Sequence, residues 1–319
     1  MQSLSGQRVL VTGATGFIGA NLVRALLQAK AEVHVIVRAG SDRWRLAGVA
    51  AQINWHGADL TAIEPLAQAV VAAKPDIIFH SAAFGGHPTH AAQREAALFA
   101  TVAGTSNLLE ALDPLPYRRL VHLGSSLEYG PKVKPLREDE LLEPNTFRGA
   151  TKAAAALLCL QAARAERKPI VVLRPFSVYG PWEANGRLIP TLMLTLLRRG
   201  EMRLTEAGTY RDFIFIEDVV EACLLAATAE GINGEIINAG AGEQYSNEEV
   251  VALAQEIAGI RVTVTPGAFP HRPSDTANWV ADISKAQRLL GWQPRHSLGA
   301  GLAKTFAWFR EQQQHYRER

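Results

Sequence analysis

The sequence predicts an α/β protein built on a doubly wound parallel sheet, with a smaller C-terminal α/β lobe. Short apolar runs typical of buried parallel strands alternate with helical patterns from residue 9 to about residue 180. After Gly180 the alternation weakens, and shorter strands and helices follow. We therefore expect a first domain over 1–180 and a smaller lobe over 181–319, with some segments of the lobe returning to the first sheet.

Residues 9–20 are the most informative stretch. An apolar run from Val9 to Val11 is followed by glycines at spacing G-x-x-G-x-x-G, and an Ala/Leu-rich helical pattern extends to about Ala29. Glycines allow a tight turn and a close backbone approach, while a helix N-terminus offers free N–H groups and a positive dipole end. The stretch therefore predicts the pyrophosphate cradle of a Rossmann fold, although a plain strand–helix turn is the alternative. The predicted cradle residues are Gly13, Thr15, Gly16, Phe17, Ile18 and Gly19.

Composition excludes several classes of protein. The net charge of +2 gives no strong field for a nucleic acid or an anionic membrane, and the 48% hydrophobic content is ordinary for a globular protein.

Cys159 and Cys223 lie in apolar helical patterns, which indicates core thiols in a reducing compartment. Residues 1–6 lack the pattern of a signal peptide, and no apolar run approaches about 20 residues. We expect a cytoplasmic protein without a metal site.

The remaining elements follow from periodicity. Strands are predicted at 32–37, 51–55, 76–79, 119–123, 170–173 and 235–238, with shorter ones near 203, at 213–216 and at 261–264. Helices are predicted from about 62, at 91–112, 147–166, 189–198, 217–229 and 247–258, and twice near the C-terminus. The helix at 147–166 is apolar around much of its circumference, which indicates burial on more than one side.

The end of the second strand bears on the choice of cofactor. A Rossmann fold that binds NAD usually has an acidic residue here to hold the ribose 2′-hydroxyl. This chain has Arg38, with Ser41 and Arg43 close behind. These side chains suit a 2′-phosphate, so the sequence favours NADP, with NAD as the alternative.

Small and polar residues follow three further strands. Asp59, before Leu60, is placed either to accept from an adenine amino group or to cap the next helix. Ser81, Ala82 and Ala83 leave room for a dinucleotide to cross the strand end, whereas we expect the preceding His80 to be packed rather than to act as a base.

Taken together, the motifs resemble those of the extended short-chain dehydrogenase/reductases, the NAD(P)-dependent epimerase/dehydratase family. The matching stretches are Thr12 to Gly19, Asp59-Leu60, His80 to Ala83, Ser125 to Gly130, Arg174 to Pro181, Arg211 to Ile214, Arg272 to Asp275 and Leu290 to Trp292. The resemblance covers essentially the whole chain. It implies a Rossmann domain that binds NAD(P), a substrate-binding lobe, and hydride transfer to and from a carbon of a nucleotide-diphosphate sugar.

The resemblance also assigns residues. Cofactor contacts are expected from the glycine cradle and from Arg38, Ser41, Arg43, Asp59, Leu60, Ser81, Ala82, Ala83, Lys152, Pro175 and Val178. Substrate contacts are expected from Ser126, Tyr179, Arg187, Arg211 and Arg272, with the last two holding the diphosphate. Ser125 matches the family's catalytic Ser/Thr.

One departure from the family is large. The family places a catalytic Tyr four residues before a Lys, so that both face one site and the Lys lowers the Tyr pKa. Here Lys152 is present, but the Tyr position is Arg148. Arginine cannot shuttle a proton, yet it can stabilise developing negative charge on a carbonyl oxygen. The proton would then come from water, Ser125 or Glu128. Thr101 and Ser177 also replace residues that are often asparagine.

The sequence thus favours an NADP-dependent reductase or epimerase of a nucleotide sugar with altered acid–base chemistry. Two alternatives stay open: a homologue that binds cofactor and nucleotide sugar but is catalytically impaired, and a reductase of a non-sugar carbonyl. The helices at 91–112 and 147–166 predict a homodimer, because related enzymes pair these helices.

Overall fold

The computed structural model describes residues 4–86, 88–272 and 275–316, so Pro273 and Ser274 of the Arg272–Asp275 motif lie outside the described residues. The strands are β1 (Arg8–Thr12), β2 (Glu32–Val37), β3 (Asn54–Gly57), β4 (Ile77–His80), β5 (Arg119–Leu123), β6 (Ile170–Pro175), β7 (Ser177–Tyr179), β8 (Glu201–Thr205), β9 (Tyr210–Arg211), β10 (Phe213–Phe215), β11 (Ile236–Ala239), β12 (Tyr245–Ser246) and β13 (Thr263–Phe269). The helices are α1 (Phe17–Gln28), α2 (Ile63–Ala73), α3 (Ala91–Ala97), α4 (Gly104–Leu112), α5 (Phe147–Ala165), α6 (Leu188–Arg198), α7 (Ile216–Thr228), α8 (Asn247–Ala258), α9 (Ser284–Leu290) and α10 (Leu298–Gln312).

Seven parallel strands form the main sheet in the order β11-β6-β5-β4-β1-β2-β3. The strand order reverses between β1 and β4, which is where a doubly wound sheet opens a crevice at the carboxyl ends of its strands. The predicted fold class is therefore confirmed. Strand β11 returns from the C-terminal part of the chain and pairs with β6 at the sheet edge.

Apolar side chains cover both faces of this sheet. One face packs against α2, α4 and α5 through residues such as Leu66, Leu108 and Cys159. The other packs against α1 and α7, and its core continues into the C-terminal part. Cys159 and Cys223 are both buried free thiols, as predicted.

Two element predictions need correction. The third strand begins at Asn54, not near residue 51, because residues 44–52 form a 3₁₀ helix. The long helix at 91–112 contains a π-helical stretch at 98–103 between α3 and α4, a feature that 3.6-residue periodicity does not reveal.

The C-terminal part consists of three two-stranded pairs, β7–β10, β9–β12 and β8–β13, and of helices that include α6, α8 and α10. Asp212, just before β10, accepts hydrogen bonds from the backbone N–H groups of Ala241, Gly242 and Ala281 at 2.6, 3.0 and 3.0 Å. This carboxylate joins three separate segments near the end of β11. Within the described residues, no helix is both long and apolar enough to cross a bilayer.

Candidate active site

The glycine turn after β1 has the shape of a phosphate cradle. Gly13 has a φ of 70°, and a Cβ there would lie 2.6 Å from the backbone nitrogen of Ala82. A Cβ on Gly19 would collide with the carbonyl oxygen of Gly13. Gly16 precedes α1, and no side chain caps the helix, which leaves its first N–H groups available to an anion. The loop therefore fits the pyrophosphate of a dinucleotide.

The adenosine end of the predicted cofactor site lies at the ends of β2 and β3. Two hydrogen bonds from Thr61 lower the pKa of the Asp59 carboxyl, the backbone N–H bond contributing most, and the charge of Arg38 acts in the same direction. Asp59 does not cap α2, because the N-cap position is Ala62. The Arg43 guanidinium stacks 4.5 Å from the Trp55 ring centroid, whereas Arg38 is exposed. Of the two predicted cofactor arginines, Arg38 thus lies near Asp59, whereas Arg43 packs on the ring of Trp55.

Short side chains follow β4, where the dinucleotide is predicted to cross the ends of the strands. The Ser81 hydroxyl donates to the carbonyl oxygen of Thr12 at 2.7 Å and fixes the end of β4 beside β1. Ala82 abuts Gly13. Pro175 ends β6, and the half-buried Val178 lies in β7.

His80 belongs to a closed hydrogen-bond chain. The Thr105 hydroxyl donates to the carbonyl oxygen of Thr101 at 2.6 Å, so it accepts from His80 Nε2 at 2.9 Å. His80 Nδ1 then accepts from the Thr12 hydroxyl at 2.7 Å. Burial, together with the charge of Lys152, lowers the pKa of His80 to about 3. His80 is therefore a packed neutral histidine, as expected.

Helix α5 positions Arg148 and Lys152. Thr146 caps it, its hydroxyl accepting from the N–H of Gly149 at 3.0 Å. A Cβ at Gly149 would collide with the carbonyl oxygen of Leu127. The first turn of α5 therefore presses against the turn that starts at Ser125.

A narrow crevice lies beside α5, and the cationic side chains of Arg148 and Lys152 both line it. Its lining residues are Ala83, Phe84, Pro88, Ala97, Thr101, Arg148, Thr151 and Lys152. The Lys152 ammonium donates to the carbonyl oxygen of Leu123, at the end of β5, at 2.6 Å, and Arg148 Nη1 donates to the carbonyl oxygen of Gly86 at 3.0 Å. Burial and then the charge of Arg148 lower the pKa of Lys152 to about 8. Burial and then the charge of Arg187 lower the pKa of Arg148 to about 10.

The contacts of Glu128 contradict the expectation that this residue supplies a proton. Its side chain is fully buried, with Oε1 accepting from the N–H of Ser125 at 2.7 Å and Oε2 accepting from Arg174 Nε at 2.7 Å. The Ser125 hydroxyl accepts from the N–H of Leu127 at 3.2 Å and so keeps its own proton free to donate. Glu128 holds the Ser125 turn in place.

Two predicted substrate contacts are buried. The Tyr179 hydroxyl donates to the carbonyl oxygen of Leu298 at 3.1 Å, and its ring packs against Phe213 and Phe215. Tyr179 is therefore a core residue, and its assignment to the substrate is wrong. Ser126 is buried and accepts from Trp279 Nε1 at 3.1 Å.

The predicted diphosphate arginines lie together in the C-terminal part. Arg211 Nη2 donates to Asp275 Oδ1 at 2.7 Å, and the backbone N–H of Arg272 donates to Asp275 Oδ2 at 2.9 Å. Asp275 thus connects both arginines, a role that sequence reasoning missed. Its place three residues after Arg272 is a local signal for the contact with Arg272, but not for the contact with Arg211.

The sheet, its glycine cradle and the helix bearing Lys152 define a Rossmann-type dinucleotide-binding protein. The model of the NAD dependent epimerase/dehydratase family matches residues 9–240. The chain belongs to this family.

Individual relatives match over almost the whole chain. A UDP-glucose 4-epimerase of Lactobacillus helveticus is 26% identical over 98% of this chain and 100% of its own length. An epimerase of Methanothermobacter thermautotrophicus is similar in structure, with a TM-score of 0.90 and 27% identity over 99% of this chain and 95% of that one. The UDP-glucuronic acid 4-epimerase of Bacillus cereus, solved with UDP-glucuronic acid and NAD, has a TM-score of 0.86 and 28% identity over 95% of this chain and 99% of its own.

Proposed function

We propose that the protein is an NADP-dependent epimerase or reductase of a nucleotide-diphosphate sugar. The observation that carries this proposal is the crevice where Arg148 and Lys152 lie one helical turn apart, beside Ala83. The glycine cradle would hold the cofactor pyrophosphate, and Lys152 would hold the nicotinamide ribose. A bound nicotinamide would exchange a hydride with a sugar carbon.

NADP rather than NAD is favoured by the charge at the end of β2. Arg38 is exposed there, and its charge reaches Asp59, as expected if both line the adenosine site. A guanidinium suits a 2′-phosphate, whereas an NAD site usually has a carboxylate at this point.

The substrate diphosphate is assigned to Arg211 and Arg272. Burial lowers the pKa of Arg211, while the carboxylate of Asp275, which accepts from its Nη2, opposes that effect. This ion pair orients the guanidinium, and a guanidinium suits the bidentate binding of phosphate oxygens.

Arg148 would take over the electrostatic part of the absent tyrosine's role. Its guanidinium would donate to a carbonyl oxygen of the substrate and stabilise the charge that develops there. Because Glu128 is bound to Arg174 inside the protein, the proton would come from Ser125 or water.

Binding and turnover assays with a panel of uridine and thymidine diphosphate sugars test this proposal, using NADP(H) and NAD(H) in parallel. We expect binding of NADPH and of at least one nucleotide sugar, with spectroscopic or product evidence of turnover. Binding of both without turnover of any sugar would favour the catalytically impaired homologue. Reduction of simple ketones without nucleotide-sugar binding would favour the non-sugar reductase.

A further inference from the structure

The segment that leads from β7 towards α6 is held by side chains from three other elements. Residues 181–183, which we call the strap, present three successive backbone carbonyl oxygens, and each of them accepts a hydrogen bond. The donors are Asn21 Nδ2 to Pro181 at 3.0 Å, Arg45 Nε to Trp182 at 2.8 Å, and the Tyr316 hydroxyl to Glu183 at 2.7 Å. These donors belong to α1, to the 3₁₀ helix at 44–52 and to a short 3₁₀ helix (Gln313–Tyr316).

Trp182 has a backbone conformation that needs such support. Its φ of 71° lies in the left-handed region, which a bulky residue adopts only where its surroundings impose it. Its ring packs against Trp44 and Trp308, with centroids 5.4 and 4.9 Å apart. The Arg24 guanidinium lies 4.5 Å from the same ring. The strap is therefore fixed by its contacts and not by its own conformational preference.

Two of the three donors also hold carbonyl oxygens of the glycine cradle. Arg45 Nη1 donates to the carbonyl oxygen of Thr15 at 3.1 Å, and Asn21 Nδ2 donates to that of Phe17 at 3.0 Å. Each of these side chains thus joins the strap to a residue that is predicted to contact the cofactor.

These bonds orient the N–H groups of the cradle. In a planar trans peptide, the carbonyl of one residue and the N–H of the next point in opposite directions. Holding the carbonyl of Thr15 therefore orients the N–H of Gly16, which donates to the carbonyl oxygen of Gly13 at 3.0 Å. Holding the carbonyl of Phe17 orients the N–H of Ile18, which is among the first N–H groups of α1 and has no acceptor within the helix. Such groups are the ones that a helix N-terminus offers to a pyrophosphate.

We infer that Arg45 and Asn21 are positioning residues for the cofactor, and that Tyr316 supports them through the strap. The inference rests on the proposed function, because it takes the glycine cradle as the pyrophosphate site. Arg45 acts through the carbonyl of Thr15. Tyr316 acts one step further away, because it holds the strap whose next carbonyl, that of Trp182, receives Arg45.

Calorimetry with NADPH and NADH tests the inference in single and double variants. Arg45→Met should weaken the binding of both dinucleotides about tenfold, the effect of losing one hydrogen bond from a charged group. Asn21→Ala and Tyr316→Phe should each weaken it about threefold, since each removes neutral hydrogen bonds. The double variant of Arg45→Met and Tyr316→Phe should lose less than the product of the two single losses, because both residues act through the strap.

Two further measurements separate positioning from attraction by charge and from damage to the fold. Arg45→Lys keeps the charge but lacks the planar guanidinium that holds two carbonyl oxygens, so it should bind the dinucleotides as weakly as Arg45→Met. Adenosine 2′-phosphate, or adenosine if NADH binds more tightly than NADPH, has no pyrophosphate. This fragment should bind the variants as tightly as it binds the wild type.

Matched controls are available on other elements. Arg288→Met, at an exposed arginine on α9, and Tyr117→Phe, just before the amino end of β5, should both leave dinucleotide affinity unchanged. Because Tyr316→Phe removes a single hydroxyl, the test does not depend on the folding of Arg45→Met.

The possible failures are distinguishable. Wild-type dinucleotide affinity in Arg45→Met and Tyr316→Phe would overturn the inference and leave the proposed function intact. Full affinity in Arg45→Lys, losses that multiply in the double variant, or an equal loss of fragment binding would also overturn it. Binding of neither dinucleotide by the wild type would overturn the proposed function, and the inference with it.

Discussion

Glu128 Oε2 accepts a hydrogen bond from Arg174 Nε at 2.7 Å, in a place where neither side chain reaches solvent. The same carboxylate accepts from the N–H of Ser125, so this buried pair connects β6 to the turn that carries the predicted catalytic serine. Arg174 also lies over the ring of Tyr129, whose hydroxyl donates to Asn238 at 2.7 Å. The position of Ser125 therefore depends on contacts with β6 and, through Tyr129, with β11.

Removing the charge of Glu128 should strongly destabilise the protein. Glu128→Gln keeps the shape of the side chain but leaves Arg174 as an uncompensated buried charge, which costs about 3–5 kcal/mol of unfolding free energy. Urea denaturation measures this loss. Glu143→Gln, in an exposed ion pair with Lys132, is the control and should cost at most about 1 kcal/mol. Similar losses in both variants would contradict a structural role for the buried pair.

The sequence predicted the sheet and the glycine cradle because both depend on local signals. Apolar runs mark buried strands, and glycines mark turns where a Cβ does not fit, as the contact between Gly13 and Ala82 shows. Pairings between distant residues left no such signal. Glu128 and Arg174 are 46 residues apart, and Arg211 and Asp275 are 64 apart.

Tyr179 shows a different limit of the sequence prediction. Successive side chains of a strand point to opposite faces, so a shift of one position exchanges a site residue for a core residue. The motif placed Tyr179 at the end of β7 but did not reveal that its hydroxyl reaches Leu298 on α10. The partner lies in a helix more than a hundred residues further along the chain.

The pH dependence of stability should reveal the buried Lys152. Its pKa of about 8 in the folded protein lies below its value of about 10.4 in the unfolded chain. Between these values the unfolded chain binds more protons, so the contribution of Lys152 to stability rises with pH. The unfolding free energy of the wild type minus that of Lys152→Met should increase from pH 7.5 to 10, by at most about 3 kcal/mol. A difference that stays constant across urea titrations at these pH values would contradict the prediction.

Arg38 should set the cofactor preference. We expect the wild type to bind NADP more tightly than NAD, and Arg38→Asp to lower NADP affinity roughly tenfold or more. Arg43→Ala is the matched comparison and should have a smaller effect, because that guanidinium already stacks on Trp55. Equal or tighter binding of NAD by the wild type, measured by calorimetry, would refute the preference.

Exposed apolar side chains on two contacting helical segments predict a homodimer. Leu98 and Phe99 in the π-helical stretch and Leu157 on α5 are 48%, 55% and 55% exposed. Burial of such side chains is worth about 1.5–3 kcal/mol each, so Leu157→Glu should shift the protein toward monomers in light scattering. Val133→Glu, in a loop outside both helical segments, should not. A monomeric wild type at micromolar concentration would rule the dimer out.

Replacement of Arg148 should raise the stability of the protein and lower its activity. In the unliganded protein, burial and then the charge of Arg187 disfavour the charged guanidinium of Arg148, so Arg148→Met should raise the unfolding free energy. The same variant should bind cofactor normally but lose about 10²–10³ in turnover, the usual cost of losing one donor to a developing oxyanion.

Arg148→Tyr restores the family's catalytic pair with Lys152 and should raise ordinary epimerase or reductase activity. In a cofactor-bound crystal structure, the guanidinium should lie within hydrogen-bond reach of the space above the nicotinamide. A fully active Arg148→Met, with the wild-type side chain turned away from the nicotinamide, would show that this arginine takes no part in the reaction.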